Sequence, residues 1–421
     1  MEECMKKKQL GVVGAIASAA LIASAMLVPA ANASTRTITI WADDQRGPQL
    51  TTLLQGNTTI VPGYKINIKY FSALSACQTA WTNATAATGP DIYTCDPVLN
   101  DDVASGRLSP IQLGSLVNSF PSGAISFVSD AGHVYGIPLD TDGAALEYNK
   151  ALVPSAPTSF SSMVNYYLTN KSSKGLTAGL CTVDGSWEDV AVMSALGGGA
   201  WDISKSHPNY TTVEVNNPTM ISNVKSLLLG SDGKSNGFWQ GYADPAPEAC
   251  LADFDAGKIP FTITGAWNFA GMTAKNINFG IAPIPGVKAG TYGAQFIGYT
   301  GAYLTSYASA HGVAIGARQL LVNWFASSSA QLAMSKLSQR PPASAAAVAA
   351  ATDPNTIAVG NAFLHGQPQV NSLLTDTAGG AGWYATMSSL WTAVLTQGKD
   401  ITSSANAAAA VLQKDFNDAS N

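Results

Sequence analysis

The spacing of apolar residues in the first hundred positions predicts alternating strands and helices. Residues 38–41 form a short β-branched run, and residues 64–70 alternate apolar and polar side chains, which is typical of a half-buried strand. Leucines at helical spacing precede Gly56, a second helical pattern covers residues 74–87, and a turn then leads into a short strand at 92–93. This order predicts an α/β fold in which helices cross over a layered sheet.

The rest of the chain continues this mixture. A polar loop is predicted at 140–143, and a helix-rich stretch, broken by three glycines at 197–199, extends from about 159 to 257. The further predicted elements are strands at 133–138, 144–148, 259–265, 277–284 and 296–304, a long helical pattern at 312–337, and Ala-rich helices from 343 onwards with a turn-rich interruption near 379–382.

The first 33 residues have the three-part order of a secretory signal peptide. Three lysines precede an apolar run from residue 10 to 28, and residues 31–33 (Ala-Asn-Ala) form a small-x-small cleavage site. A transmembrane anchor is the alternative, because the apolar run approaches the length that spans a bilayer. No cysteine stands at the cleavage position, so a lipid anchor is not supported. We expect an exported protein, periplasmic or extracellular and associated with the cell surface.

Charged residues are scarce, at 12% of the chain against about 25% in an average soluble domain. The net charge of −5 argues against nucleic-acid binding, which needs a basic face to neutralise phosphates. The chain has no phosphate-binding G-x-x-x-x-G-K-[ST] loop, and its four histidines lack the spacing of metal ligands. We therefore expect no cofactor and no metal.

Two carboxylates and a guanidinium follow the first predicted strand directly. The stretch ITIWADDQRGP places Asp43, Asp44 and Arg46 at the carboxyl end of that strand. Ligands of open α/β sheets bind at this end of the strands. A solvated turn with a local Asp–Arg ion pair is the structural alternative.

Eight short stretches in a fixed order resemble one family of proteins. They are WADDQRG (41–47), GPDIYTCD (89–96), YGIPLDTDGAALEYNK (135–150), FDAGKIPFTITGAW (254–267), NFGIAPIPG (278–286), FIGYTGAYLTSYAS (296–309), QRPPAS (339–344) and MSSLWTAVL (387–395). Together they resemble the extracellular solute-binding proteins of ATP-driven (ABC) sugar importers, and most of all the maltose/maltodextrin-binding group. The resemblance covers essentially the whole chain after residue 33.

The resemblance implies a two-lobed periplasmic-binding-protein-like fold with discontinuous lobes and a ligand cleft between them. It implies an N-terminal lobe of residues 34–140 plus 300–338, a C-terminal lobe of residues 145–296 plus 342–421, and crossing segments near 140–145, 296–302 and 338–342. It further implies that the lobes close on the ligand by a hinge motion and that the closed form docks on a membrane permease.

A sugar cleft needs acids and basic groups for the hydroxyls and flat aromatic side chains for the apolar C–H faces. On the resemblance, Asp44 and Arg46 grip sugar hydroxyls at the tip of the first strand, with Asp43 as the alternative acid. Asp96 would supply a further acid at the end of the GPDIYTCD strand. The chain lacks the aromatic residue and the arginine that the family often carries just after this strand.

Further ligand groups are implied along the rest of the chain. Asp142, in the first crossing segment, would contact sugar, with Asp140 as its competitor; a hinge residue that binds backbone N–H groups is the structural alternative. In the stretch VDGSWED, Asp184 and Trp187 would supply an acid and an aromatic ring, with Glu188 as the competing acid.

Stacking rings are implied at two tryptophans. Trp267, at the end of a predicted strand, and Trp391, on a C-terminal helix, would lie flat on the sugar. Packing into the core is the alternative for Trp391. Tyr299, in the second crossing segment, is an additional candidate for the cleft.

Four cysteines remain after the predicted signal segment, and export permits disulfides between them. Three pairings of Cys77, Cys95, Cys181 and Cys250 are possible. We favour Cys77–Cys95 and Cys181–Cys250, because each pair then lies within one predicted lobe. Four buried thiols are the alternative.

The resulting functional prediction is a monomeric protein that is not an enzyme. It would bind a maltose/maltodextrin-type oligosaccharide outside the cell and deliver it to the permease subunits of an ABC importer. Two alternatives stay open. The same fold could bind another solute, such as another oligosaccharide or a polyamine. The chain could also be a secreted glycoside hydrolase with two carboxyl groups about 5–10 Å apart.

Overall fold

The computed structural model describes residues 35–183, 185–202, 209–242, 248–369 and 382–419. The predicted signal segment and the candidate ligand residue Asp184 lie outside these residues. Within the described part of the chain, no helix combines the length and the apolar character needed to cross a membrane.

Most strands of the described residues join one mixed sheet. The strands are β1 (Arg36–Ala42), β2 (Tyr64–Tyr70), β3 (Ile92–Tyr93), β4 (Ser129–Asp130), β5 (His133–Val134), β6 (Gly136–Asn149), β7 (Leu180–Thr182), β8 (Gly199–Asp202), β9 (Asn209–Glu214), β10 (Trp239–Gln240), β11 (Phe261–Gly265), β12 (Phe279–Ala282), β13 (Phe296–Leu304) and β14 (Gln367–Pro368). The order across the sheet is β10-β7-β11-β6-β13-β3-β1-β2, with β12 beside β6 and β14 beside β13. The pairs β4–β5 and β8–β9 form two small separate sheets.

Helices connect these strands, as the alternating pattern predicts. They are α1 (Gly47–Leu54), α2 (Leu74–Thr82), α3 (Leu99–Ala104), α4 (Ser122–Phe127), α5 (Phe160–Lys174), α6 (Ser186–Ala195), α7 (Pro218–Leu227), α8 (Glu248–Asp255), α9 (Phe269–Ala274), α10 (Tyr307–Ala310), α11 (Ala314–Leu320), α12 (Ser328–Ser338), α13 (Ala345–Ala350), α14 (Pro354–Phe363), α15 (Gly382–Trp391) and α16 (Ile401–Ala419). Short 3₁₀ or π segments lie at Gly114–Ser119, Ala266–Asn268, Leu321–Phe325 and Thr392–Thr396.

The two long strands β6 and β13 run through the middle of the sheet. The first half of β6 pairs antiparallel with β13, from Gly136 opposite Tyr303 to Gly143 opposite Ile297. The second half of β6 lies between β11 and β12. The prediction of a polar loop at 140–143 is therefore wrong. Residues 140–142 are half-buried, Gly143 is buried, and the segment pairs with a neighbouring strand. That pairing outweighs the local polarity of the sequence.

The apolar side chains form separate cores on either side of this central region. One large core takes its buried residues from 38–139 and 302–343, and the other takes them from 144–296 and 383–416. Each fully buried Leu, Ile or Val stabilises the fold by about 1.5–3 kcal/mol relative to exposure. We call the two sides the N-terminal and C-terminal lobes; the residue boundaries given for them above stay a prediction.

The stretch 159–257 contains strands that its sequence did not predict. Besides helices α5 to α8, the structure places β7, β8, β9 and β10 within it. β7 has three residues and β10 has two, which is too short for an alternation of apolar and polar positions to be visible. Long-range pairing with β11 makes β7 a strand, and sequence spacing carries no signal of it.

Both predicted disulfides are confirmed. The Cα atoms of Cys77 and Cys95 are 6.2 Å apart and those of Cys181 and Cys250 are 5.8 Å apart, within the normal range for a bonded pair. The first bridge ties α2 to the end of β3, and the second ties β7 to α8. The alternative of four separate buried thiols is therefore wrong.

Glu147 is an unusual acid in the core of the C-terminal lobe. It lies on β6 with 0% exposure, and neither carboxyl oxygen makes a well-formed hydrogen bond among the described residues. Burial, together with the nearby carboxylate of Glu188, raises the pKa of Glu147 well above its ordinary value. The folded chain therefore holds this carboxyl protonated at pH values where the unfolded chain has lost the proton.

We predict that Glu147→Gln removes a pH-dependent loss of stability. As the pH rises above the ordinary Glu value, unfolding releases a proton, so the wild-type chain loses about 1.4 kcal/mol per pH unit until the raised pKa is reached. Glutamine cannot ionise, so the variant gains stability over wild type at pH 8 but not at pH 4. Urea unfolding at both values measures this, with Glu214→Gln on β9 as the control. An unchanged pH slope in the Glu147 variant would contradict the assignment.

Candidate functional site

The tip of β1 is organised by a buried aspartate. Asp43 has 0% exposure, and its Oδ1 accepts hydrogen bonds from the backbone N–H groups of Gln45 at 3.1 Å and Arg46 at 2.9 Å. Its Oδ2 accepts a hydrogen bond from Nη1 of Arg46 at 2.5 Å. Asp43 therefore shapes the turn that leads into α1, as the structural alternative of a local Asp–Arg pair has it, and its role as a ligand acid stays a prediction.

Arg46 binds a second carboxylate at the end of the neighbouring strand. Its Nη2 lies 3.2 Å and 3.0 Å from the two carboxylate oxygens of Asp96, which follows β3. Arg46 is 5% exposed. Burial raises the pKa of Asp96 to about 6, because Arg46 offsets the desolvation only in part. Asp43, Arg46 and Asp96 thus form one ion network at the carboxyl ends of β1 and β3.

A second arginine gathers a further group of acids. Nη1 of Arg340 lies 3.5 Å from Oδ1 of Asp140 and 3.2 Å from Oδ1 of Asp142, both on β6. Its Nη2 donates a hydrogen bond to Oε1 of Gln45 at the β1 tip. Burial raises the pKa of Asp140, and Arg340 partly opposes that rise. Because Gln45 and Arg46 are adjacent, the two arginine networks lie side by side.

A cavity of about 370 Å³ opens beside these networks. Three segments line it: the β1 tip with α1, the short 3₁₀ segment after β11, and the end of α12. The lining residues are Asp44, Gln45, Pro48, Gln49, Thr52, Ala266, Trp267, Asn268, Leu337, Ser338 and Arg340. The cavity therefore takes groups from the N-terminal lobe, the C-terminal lobe and the predicted third crossing segment.

Trp267 provides an aromatic wall of the cavity. A Cβ atom on Gly265 would lie 2.0 Å from the Trp267 ring, so the ring reaches back over the strand end only because residue 265 is glycine. Trp187 lies behind it, with ring centroids 5.6 Å apart. The indole N–H of Trp187 donates to Oε1 of Gln369 at 3.0 Å, which fixes the orientation of the pair.

The structure brings most of the predicted ligand residues to one region. Asp44 and Trp267 line the cavity directly. Arg46, Asp96 and Asp142 belong to the adjoining ion networks, and Trp187 supports Trp267 from behind.

Two predicted ligand residues lie elsewhere. Trp391 has 0% exposure and packs edge to face on Trp239, 5.1 Å between centroids, inside the C-terminal core. This packing matches the alternative of a core residue, and the stacking role of Trp391 stays a prediction. Tyr299 is half-buried against Phe127 of α4, 6.2 Å between centroids, and is not among the cavity-lining residues.

Sequence reasoning missed several groups that form the site. Arg340, Gln45, Gln49 and Asn268 all line the cavity and were not predicted. The amides carry no motif that could have identified them. Arg340 had a usable signal, because an isolated arginine in a charge-poor chain stands within the predicted crossing segment.

A sequence profile of the bacterial extracellular solute-binding proteins matches residues 61–359. The chain belongs to this family. The predicted family and the predicted export are therefore confirmed.

The individual relatives share less than 30% sequence identity with this chain. The chain is 24% identical to a maltotriose-binding protein of Pyrococcus abyssi over 209 residues, which are 48% of this chain and 43% of that protein. It is 28% identical to the maltodextrin-binding protein MdxE of Bacillus subtilis over 212 residues, 47% of this chain and 49% of the relative. The chain thus spans about half the length of the curated relatives it matches.

A solved structure extends the likeness to the whole fold. The crystal structure of a cyclo/maltodextrin-binding protein complexed with maltotetraose superposes with a TM-score of 0.68 at 20% identity. The match covers 90% of this chain and 96% of that one. It confirms the predicted two-lobed α/β fold of this solute-binding protein.

We predict that Arg46→Met strongly destabilises the protein. The change leaves the carboxylate of Asp43 buried without its cation, and breaking a buried ion pair in this way costs about 3–5 kcal/mol. Urea unfolding at pH 7 measures the loss. The exposed Arg318→Met on α11 is the matched control and should change the free energy of unfolding by less than about 0.5 kcal/mol. Equal effects of the two variants would contradict a buried ion network at Arg46.

Proposed function

We propose that this solute-binding protein captures a neutral oligosaccharide of the maltodextrin type in the cavity beside Trp267. The observation that carries the proposal is the pairing of an aromatic wall with hydrogen-bonding groups across one cavity. An indole face covers the apolar C–H side of a sugar ring. Asp44, Gln49 and Asn268 offer acceptors and donors for its hydroxyls.

The charges of the site disfavour an anionic ligand. Arg46 and Arg340 are each bound by two carboxylates, so neither guanidinium is left to neutralise an anionic ligand. Asp44 is exposed and makes no ion pair among the described residues. The curated relatives, whose names give maltotriose and maltodextrin as ligands, support a neutral glucose oligomer.

Binding without turnover fits the acids better than hydrolysis does. A glycosidase needs one carboxyl group that is free to deliver a proton to the scissile bond. Asp96 has the raised pKa that such an acid requires, but both of its oxygens are bound to Arg46. We infer that the protein is not an enzyme. It would act as a monomer, close its lobes on the sugar and deliver it to the permease of an ABC importer.

A thermal-shift panel tests the ligand class. We expect maltotriose to raise the melting temperature, since a ligand at 100 times its Kd stabilises the native state by about 2.7 kcal/mol. Maltose, trehalose and sucrose test chain length and linkage, and spermidine tests a polyamine. A shift with spermidine alone would overturn the proposal in favour of a cationic solute. Release of reducing sugar from maltotriose would favour the hydrolase.

The two tryptophans should separate binding from folding. We predict that Trp267→Ala weakens maltotriose binding about tenfold or more, because a stacking face is lost. Trp391→Phe should cost about 1–3 kcal/mol of stability through a core cavity while affinity stays within about twofold. Calorimetric titration and urea unfolding of both variants measure these effects. A larger loss of affinity in the Trp391 variant would reverse the two assignments.

A further inference from the structure

The backbone around Arg340 is held in place by contacts that do not involve the Arg340 side chain. Helix α12 ends at Ser338 and is capped by Gln339, which has a φ of 60° in the left-handed region. The hydroxyl of Ser335 donates to the carbonyl oxygen of Arg340 at 2.6 Å. Beyond it, the N–H of Thr141 on β6 donates to the carbonyl oxygen of Pro341 at 2.8 Å. Arg340 therefore starts from a fixed point beside the central strands.

The side chain of Arg340 reaches groups on both sides of the cavity. It contacts Gln45 at the β1 tip in the N-terminal lobe, and its guanidinium carbon lies 5.7 Å from the ring centroid of Trp267 in the C-terminal lobe. Between these contacts it binds Asp140 and Asp142 on β6. Arg340 is only 2% exposed, so it connects the two walls of the cavity from a buried position.

We propose that Arg340 sets the width of the sugar cleft. Resting on the function proposed above, it is a positioning residue: it holds Trp267 at a fixed distance from the β1 tip and keeps Asp142 oriented. Two carboxylates already satisfy its charge, so it acts on the ligand through its neighbours. A planar guanidinium can bind an amide and carboxylates at its edge while its face lies on an indole, whereas a lysine ammonium cannot.

The chain contains a matched control for this arrangement. Arg107 also pairs with an aspartate, Asp102, at 3.9 Å, and its guanidinium carbon lies 5.5 Å from the ring centroid of Trp81. These three residues all belong to the N-terminal lobe and do not line the cavity. Arg107→Met therefore removes the same kinds of contact without touching the cleft.

The experiment compares Arg340→Met, Arg340→Lys and Arg107→Met with wild type. We expect Arg340→Met to weaken maltotriose binding by about 10- to 100-fold in calorimetric titration, because Trp267 and Asp142 lose the residue that positions them and two carboxylates lose their cation. Arg340→Lys should recover only part of this loss. Arg107→Met should lower the melting temperature and leave the Kd unchanged.

Small-angle X-ray scattering without ligand supplies a second measurement. We expect a larger radius of gyration for Arg340→Met than for wild type and Arg107→Met, because the walls of the cavity are no longer joined. Should Arg340→Met fail to fold, Gln45→Met removes the contact to the N-terminal lobe without stranding a charge, and the same increase is expected.

Each outcome decides between the two proposals. Wild-type affinity together with wild-type scattering in the Arg340 variants would overturn the positioning role. Equal losses of affinity in the Arg107 and Arg340 variants would also overturn it, since the effect would then be general destabilisation. If wild type bound no oligosaccharide, the proposed function would fail, and the scattering comparison would still decide whether Arg340 sets the cleft width.

Discussion

The centre of this molecule depends on two guanidinium groups that compensate four buried or half-buried carboxylates. Isolated charges are not tolerated at such depth, because desolvation costs several kcal/mol per ion unless a partner and hydrogen bonds offset it. Arg46 and Arg340 supply both. Two cations among four acids still leave an excess of negative charge. Burial, together with the neighbouring acids, raises the pKa of Asp96 to about 6 and also raises the pKa of Asp140.

These ion pairs explain why Asp140 and Asp142 can lie where β6 passes from the N-terminal lobe into the C-terminal lobe. β6 continues from the N-terminal lobe into the C-terminal lobe without a break, and Asp140 and Asp142 lie at the point of transition. The residues 341–343 run beside the same point, since the N–H of Ala343 donates to the carbonyl oxygen of Leu139 at 3.0 Å. Asp140 and Asp142 are thus held on a regular strand, which positions side chains more rigidly than a free loop does.

The sequence predicted those elements whose local pattern and tertiary role agree. The strand at 64–70 and the strand at 296–304 have the bounds that alternation or an apolar run indicated. The sequence predicted a loop at 140–143 because these residues are polar. Two of them, Asp140 and Asp142, are polar because they pair with Arg340, which lies too far away in the sequence for a local pattern to show it. Trp267 and Trp391 show the limit most clearly. Both are tryptophans in motifs of the same family resemblance, and only packing distinguishes the cavity wall from the core.

The sequence predicted only part of the candidate site. Asp44 and Trp267 stand at predicted strand ends, where ligands of open sheets are expected. Arg340 follows a helix and precedes two prolines. Its place in a predicted crossing segment indicates a position near the cleft, but not its contacts with residues 200 or more positions away along the chain. Its partners become neighbours only when β6 and the segment at 339–344 pair, which is a property of topology.

The two disulfides have a mechanical consequence. Cys77–Cys95 links two elements of the N-terminal lobe, and Cys181–Cys250 links two elements of the C-terminal lobe. Neither bridge joins the lobes to each other. Oxidation therefore stiffens each half as a separate rigid body and adds no tether across the groove. Reduction of the disulfides would loosen each lobe individually and leave the ion pairs of Arg340 intact.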